Sequence, residues 1–489
     1  MTSKFTAAEL RALMSDPELL REAVLVNGQW ISRADLPVID PATGDTLGHV
    51  PDCTVAETTQ AIAAAEAAMV DWRKRTNIER ADLLLAWHDL MLEHADDLAL
   101  ILTAEQGKPL AEAKGEILYG ASFVRWFAEE ARRINGHIIP SPVPDKKILA
   151  MKEPVGVCAI ITPWNFPNAM ITRKVAPGLA AGCTMVIKPS DLTPYSALAL
   201  CVLAERAGIP AGVLNCLTGR PEQIGATLTG SSTVRKLSFT GSTRVGALLA
   251  EQCAPTLKRM SLELGGNAPF IVFDDADLEA AVEGVMLSKF RNGGQTCVCA
   301  NRILVQSGIH DHFVDALAAR VDALTVGAGI GDDVAIGPMI NAQAIDKINA
   351  HVADALAKGA KRATETRELG SQFADPVVLT GATSEMRLAS EETFGPVAPI
   401  FCFDTEEEAL EIANGAPFGL AAYFYTQDMA RAFRFGEALE AGLVGLNTGV
   451  VSHAEAPFGG VKSSGLGREG AQEGIEEYLE TKALHLGGL

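Results

Sequence analysis

Two side chains capable of covalent chemistry stand in informative company. Cys297 lies in the run Gly294-Gln295-Thr296-Cys297-Val298-Cys299-Ala300-Asn301, and Glu263 in the run Leu262-Glu263-Leu264-Gly265-Gly266-Asn267. A thiol among glycines and polar residues, with a separate carboxylate to handle water, is the minimum equipment for chemistry through a thioester. Most cysteines are small buried hydrophobes, and most glutamates are solvated on the surface. The glycine-rich flank of Cys297 and the leucines and double glycine around Glu263 point instead to a nucleophile and to the end of a partly apolar strand.

Such groups need elements that hold them together. With 489 residues and 48% apolar content, the chain has material for about three domains. Residues 55–133 are rich in Ala, Leu and Glu with apolar residues recurring at three and four, which predicts long helices. Short β-rich runs then appear at 155–161, 184–188, 213–217 and 234–239, separated by helical stretches. This alternation predicts a parallel sheet covered by helices, in which ligands bind beyond the carboxyl ends of the strands. A second alternating set follows Gly265, with strands expected at 269–273, 302–306, 397–403 and 421–425. Residues 134–151 and the tail fit neither set and read as extended. Paired into a small sheet with open edges, they would suit contact with another subunit.

Composition narrows the functional classes. With 41 basic and 61 acidic residues, the net charge of −20 argues against nucleic acid and anionic membranes as partners. Residues 1–20 lack the apolar core of a signal peptide, and no apolar run has membrane-spanning length, so a cytoplasmic location is expected. The nine cysteines are odd in number and lie largely in apolar segments, as reduced thiols do. No metal-ligand spacing is present; His310 and His312 are better explained by a surface strand or a helix start, and no metal is predicted.

Four motifs in order, Ile161-Thr-Pro-Trp-Asn-Phe-Pro167, Phe239-Thr-Gly-Ser-Thr243, Glu263-Leu-Gly-Gly266 and Gly294-Gln-Thr-Cys297, resemble the aldehyde dehydrogenase superfamily. Glu391-Glu-Thr-Phe-Gly-Pro396 and Pro457-Phe-Gly-Gly-Val-Lys462 extend the resemblance over nearly the whole chain. It implies an α/β fold with a Rossmann-type nucleotide-binding domain (1–133 and 152–265), a catalytic domain (266–460) and a bridging oligomerisation sheet (134–151 and 461–489), in a homodimer or homotetramer. It also implies a mechanism: Cys297 adds to an aldehyde, and Asn165 with the Cys297 N–H steadies the oxyanion, each such donor being worth ~3 kcal/mol. Hydride then leaves for a nicotinamide, and Glu263 acts as the base that lets water cleave the thioester.

The same resemblance assigns the cofactor to Thr162, Pro163, Trp164, Lys188, Ser190, Asp191, Gly241, Ser242, Glu392 and Phe394. Residues 238–246 read as a strand, a glycine turn and a helix start, which suits a pyrophosphate although the glycines are more widely spaced than in the common fingerprint. A carboxylate at Asp191 accepts bonds from ribose hydroxyls and repels a 2′-phosphate, favouring NAD, with NADP possible beside Lys188 and Ser190. Within the superfamily the chain is most similar to succinate-semialdehyde dehydrogenases, on the runs 169–174, 289–299 and 447–452. In that reading Arg173, Arg291 and Ser452 clamp the terminal carboxylate of a small aldehyde. Glutarate semialdehyde is the alternative, since one methylene is worth only ~1–3 kcal/mol. A broader aldehyde dehydrogenase, or a non-catalytic binding protein of this fold, are the remaining readings. Relatives of this type also suggest Cys299 as the partner of Cys297 in a reversible disulfide.

Overall fold

The structure is a computed structural model that describes residues 5–331 and 333–488. The helical region resolves into Val55–Trp72, Asn77–Glu93, Ala95–Gln106 and Leu110–Glu130. Thr54 and Thr76 open the first two through reciprocal bonds with Glu57 and Glu79, which satisfy N–H groups that a helix start leaves unpaired.

The centre of the first sheet is five parallel strands in the spatial order Leu214–Cys216, Thr184–Lys188, Val157–Ile161, Val234–Thr240 and Arg259–Glu263. The chain therefore winds outward from Val157–Ile161 to one side, then crosses and winds to the other. The reversal falls between Val157–Ile161 and Val234–Thr240, and open α/β sheets bind ligands in the crevice beyond the carboxyl ends at such a point. Residues 162–166 and 241–242 emerge there.

Three elements of this sheet escape sequence patterning. Val24–Val26 and Gln29–Ile31 form an antiparallel hairpin on one edge. Gly465–Leu466 pairs antiparallel with Glu263 and Leu262 on the other. Residues 465–466, expected with the third sheet, thus close an edge of the first, where Arg259–Glu263 would otherwise leave backbone groups unpaired. All three strands are two or three residues long, too short for alternation to register.

The second sheet has seven strands, with Ala268–Val272, Ala300–Gln306, Val397–Phe403 and Ala421–Tyr425 adjacent at its centre, all parallel. Val377–Thr380 and Leu443–Leu446 extend it in parallel, and Lys361–Arg362 adds an antiparallel edge. In the third sheet Lys146–Pro154 lies between His137–Ile139 and Leu479–Gly487, antiparallel to both. His137–Ile139 is fully exposed, with Ile138 at 77%. His310 opens the helix His310–Asp322, and among the described residues no helix is long and apolar enough to cross a membrane.

One buried ion pair ties these parts together. Lys108 Nζ meets Glu116 Oε2 at 2.6 Å with both side chains essentially inaccessible, and also donates to the Asn165 carbonyl at 2.8 Å. Glu116 Oε1 accepts from the Asn168 and Ala169 N–H groups at 2.9 and 3.2 Å, capping the fully buried helix Ala169–Ala181. On the far side, the Leu110 N–H donates to the Gly329 carbonyl at 2.9 Å. Lys108→Met should cost about 3–5 kcal/mol by stranding the Glu116 charge, and adding Glu116→Gln should recover part of it. Urea unfolding checks this; a Lys108→Met variant as stable as the parent would mean that the pair carries no such load.

Candidate active site

Cys297 is presented by a backbone path that few sequences can follow. The helix Leu278–Val285 runs into the π-helical turn Met286–Phe290, and the chain then passes through Asn292, Gly293 and Gly294 at φ 51, 60 and 77. Gly294 has a second reason to lack a side chain, because a Cβ there would collide with the Gly395 carbonyl. Asn292 holds a left-handed conformation that costs about 1–3 kcal/mol in a non-glycine residue, and its side chain is fastened to do so. Its Nδ2 donates to the carbonyls of Asn165 (3.0 Å) and Gln295 (3.3 Å), and its Oδ1 accepts from Gln106 Nε2 (3.1 Å). Gln295 Oε1 accepts from the Ile340 N–H at 3.0 Å, and Tyr423 OH donates to the Val298 carbonyl at 2.9 Å. Asn165 Nδ2 donates to the Gln295 carbonyl at 3.0 Å, which uses one of its two N–H groups and fixes the amide beside the Cys297 loop.

Two clefts meet at Cys297. The larger spans about 1130 Å³, part of it open to solvent, and is lined by Pro163, Trp164, Asn165, Gly241, Ser242, Glu392 and Phe394 of the predicted residues. Ser242 is the N-cap of the helix Thr243–Cys253, its Oγ accepting from the Val245 N–H, so the free N–H groups of that helix open toward the cleft. Gly246 allows the helix to sit against Leu264, which a Cβ would strike. Trp164 and Phe394 meet edge to face at 5.5 Å. Burial pushes the Glu392 carboxyl up to about 7, against the pull of the Gly266 N–H.

Thr162, Lys188, Ser190 and Asp191 do not line this cleft. They stand at the ends of the adjoining strands, where Lys188 pairs with Ile161 across the sheet. Lys188 Nζ donates to Asp191 Oδ1 at 2.7 Å and to the Pro189 carbonyl at 3.0 Å, and the same Oδ1 accepts from the Gly219 N–H at 3.2 Å. Ser190 Oγ accepts from the Leu192 N–H at 3.2 Å.

The smaller cleft, about 530 Å³, brings together Arg173, Arg291 and Ser452 with Cys297. Arg173 is not free: Glu469 binds its Nε, and the same carboxylate binds Lys174. Its guanidinium lies over Phe458 at 3.9 Å, while Nη2 is buried without a hydrogen-bond partner among the described residues. Arg291 lies over Phe166 at 5.0 Å. Tyr119 OH shares a 2.5 Å hydrogen bond with Ser452 Oγ.

Glu263 lines neither cleft. It ends its strand 2% exposed, both carboxyl oxygens lack a hydrogen-bond partner among the described residues, and Oε1 lies close under Gly459. Burial, then the Glu469 charge, raise its pKa well above the carboxylate range despite Arg173, Lys174 and Arg468. Burial also opposes the charge on Glu469, but Arg173 and Lys174 prevail and hold it ionised. At Cys297 burial pushes the thiol up to about 12, with Arg173 pulling it down and Glu392 and Glu263 adding to the rise. Cys299 is turned to other work. Its Sγ accepts from Lys289 Nζ at 3.4 Å and donates to the Lys289 carbonyl at 3.5 Å, contacts that a bond to Cys297 would have to replace.

Several residues at the site were not legible from motifs. Lys347 lines the larger cleft and donates to the Glu392 carbonyl at 2.5 Å, while His351, one turn further along, meets Thr393 and Glu391 at 3.1 Å. Together they fasten the 391–394 loop to the helix Ala342–Ala357. Glu469 carries a weak signal in its flanking glycines, 467 and 470. Gln106, Lys108 and Glu116 carry none, because what ties them to the site, Asn292, Asn165 and Asn168, is distant in the chain.

Comparison with known proteins places the family and the fold. The 3-sulfolactaldehyde dehydrogenase of Pseudomonas putida is 56% identical over 97% of this chain and 99% of its own. The glutarate-semialdehyde dehydrogenase of Pseudomonas putida is 55% identical over 96% of this chain and 99% of its own. The crystal structure of succinate-semialdehyde dehydrogenase from Burkholderia pseudomallei, 56% identical, superposes with a TM-score of 0.95 over 97% of this chain and all of that one. Residues 30–484 match the aldehyde dehydrogenase family, and the chain, with its nucleotide-binding sheet, second α/β unit and meeting clefts, belongs to that family.

Proposed function

We propose that this enzyme oxidises succinate semialdehyde to succinate with NAD, through a thioester on Cys297. The observation that carries this reading is the meeting of two clefts at one thiol, the smaller of them bearing Arg173, Arg291 and Ser452. An aldehyde with an acid at its far end suits that cavity, its carbonyl at the sulfur and its charge at the arginines. Relatives named for glutarate semialdehyde and 3-sulfolactaldehyde support the wider class of aldehydes with a distal anion, and glutarate semialdehyde is the second reading.

The residues of the larger cleft fit a dinucleotide: a helix N-terminus for the pyrophosphate, the Glu392 carboxylate for ribose hydroxyls, and Trp164 with Phe394 beside a planar ring. When bound, NAD(P) supplies the acceptor for the hydride that leaves the substrate carbon. Asp191 supports NAD, since Oδ2 has no hydrogen bond among the described residues and is left for a ribose hydroxyl. Cys297 forms the carbon–sulfur bond, Asn165 offers its remaining N–H to the oxyanion, and loss of hydride leaves the thioester. Glu263, deprotonated, then takes a proton from water as the water attacks, releasing the acid and the thiol. We also propose that the exposed three-stranded sheet is covered by a second copy, in a dimer or tetramer.

Both reacting groups carry raised pKa values and act deprotonated, so first and later turnovers should both quicken from neutral to alkaline pH. In stopped flow, Cys297→Ala should give no reduced cofactor, whereas Glu263→Gln should keep a first turnover and lose later ones by about a hundred-fold or more. A steady rate in Glu263→Gln equal to the parent would remove it as the base. Arg291→Ala should cut kcat/KM for succinate and glutarate semialdehydes by about ten- to a hundred-fold and spare butanal, with NAD outperforming NADP throughout. Equal loss on butanal would sink the clamp. Sedimentation should give twice or four times the mass of one chain; a monomer would end the assembly reading.

A further inference from the structure

We infer that Ser288 is a specificity-determining residue, its hydroxyl donating to the anionic end of the substrate beside Arg173 and Arg291. The inference deepens the acidic-aldehyde reading and rests on it. Ser288 sits in the π-helical turn Met286–Phe290 and lines the same cavity as Cys297. It is 5% exposed, and its Oγ has no hydrogen-bond partner among the described residues. A serine inside a helix ordinarily bonds back to a carbonyl of the preceding turn, or points to water. This one does neither.

Arg173, buried, and Arg291, half-buried, also carry donors without partners among the described residues. Arg173 Nη2 is buried and unpartnered, although Nε of the same group is held by Glu469. The Arg291 guanidinium, over Phe166, makes no hydrogen bond or salt bridge among the described residues. Ser452 differs, because Tyr119 already engages its hydroxyl. A buried donor without an acceptor lowers stability, so two of them, Ser288 Oγ and Arg173 Nη2, beside a half-buried Arg291 guanidinium that is unpaired among the described residues, mark a place shaped for a group with several acceptors. A carboxylate offers about four lone-pair positions, enough to take Ser288 and both arginines together. The π-helical turn supplies the geometry: within six residues it puts Ser288 and Arg291 on the cavity wall and sends the intervening Lys289 to Cys299 and Asn301.

The test is steady-state kinetics of Ser288→Ala with succinate semialdehyde and with butanal, together with its thermal midpoint. The expected result is a KM for succinate semialdehyde raised about ten-fold or more, with kcat and both butanal constants within about twofold of the parent. The midpoint should be unchanged or higher, since the variant deletes a hydroxyl that has no hydrogen-bond partner among the described residues. A merely structural serine would lower the midpoint and leave the ratio of the two substrates alone. An unchanged KM for the acidic aldehyde, or equal loss on both, overturns the role of Ser288. A parent enzyme with no preference for succinate semialdehyde over butanal would instead overturn the acidic-aldehyde reading itself, and Ser288 would fall with it.

Discussion

The Lys108–Glu116 ion pair is the constraint on which the site depends. Taking two charges out of water is costly, and such a pair persists only when further hydrogen bonds satisfy both ends. Here those bonds are the useful part. Lys108 reaches the Asn165 carbonyl, and Glu116 reaches the first N–H groups of the helix that carries Arg173 and Lys174. Asn165 in turn bonds to the Cys297 loop through Gln295. One buried pair thereby sets the relative positions of Asn165, the arginine helix and the Cys297 loop.

A second group of charges sets the proton inventory. Glu469 stays ionised between Arg173 and Lys174, while Glu263, buried nearby without a hydrogen-bond partner among the described residues, is raised by burial and then by that neighbouring charge. Two carboxyls in one region are thus pushed apart, one held ionised and the other raised well above the carboxylate range. This separation of roles is how a single apolar region supports acid and base chemistry. Arg173 belongs to both groups, since its Nε faces Glu469 and its guanidinium lines the cavity at Cys297.

Strain is stored where it serves presentation. Three consecutive left-handed residues bend the chain ahead of Cys297, and only two are glycines. The third, Asn292, is held by bonds from Gln106 and to Asn165 and Gln295, so the cost of the turn is met in large part by residues far off in the chain. A loop fastened this way has little entropy left to lose on binding a ligand, and the Cys297 thiol and the Asn165 amide are held in a fixed relation.

The alternation of apolar runs after residue 153 was enough to determine two α/β units, and their central strands all took the expected places. Glycine spacing and residue type were enough to single out Cys297 and Glu263 as candidates and to put Gly241 and Ser242 at a helix start, whereas Asn165 was implied by the family resemblance. These features are local: period, turn and cap are properties of a few neighbouring residues. What only tertiary structure decided is relational. It ran Gly465–Leu466 along the edge of the first sheet, engaged Arg173 with Glu469, joined Lys188 to Asp191, turned Cys299 toward Lys289 and left Ser288 without a partner. Each depends on groups brought together from distant parts of the chain or on the path of one loop, and burial then fixes their charges. No pattern along the chain carries that information, because hydrogen bonds and electrostatic fields depend on distance in space.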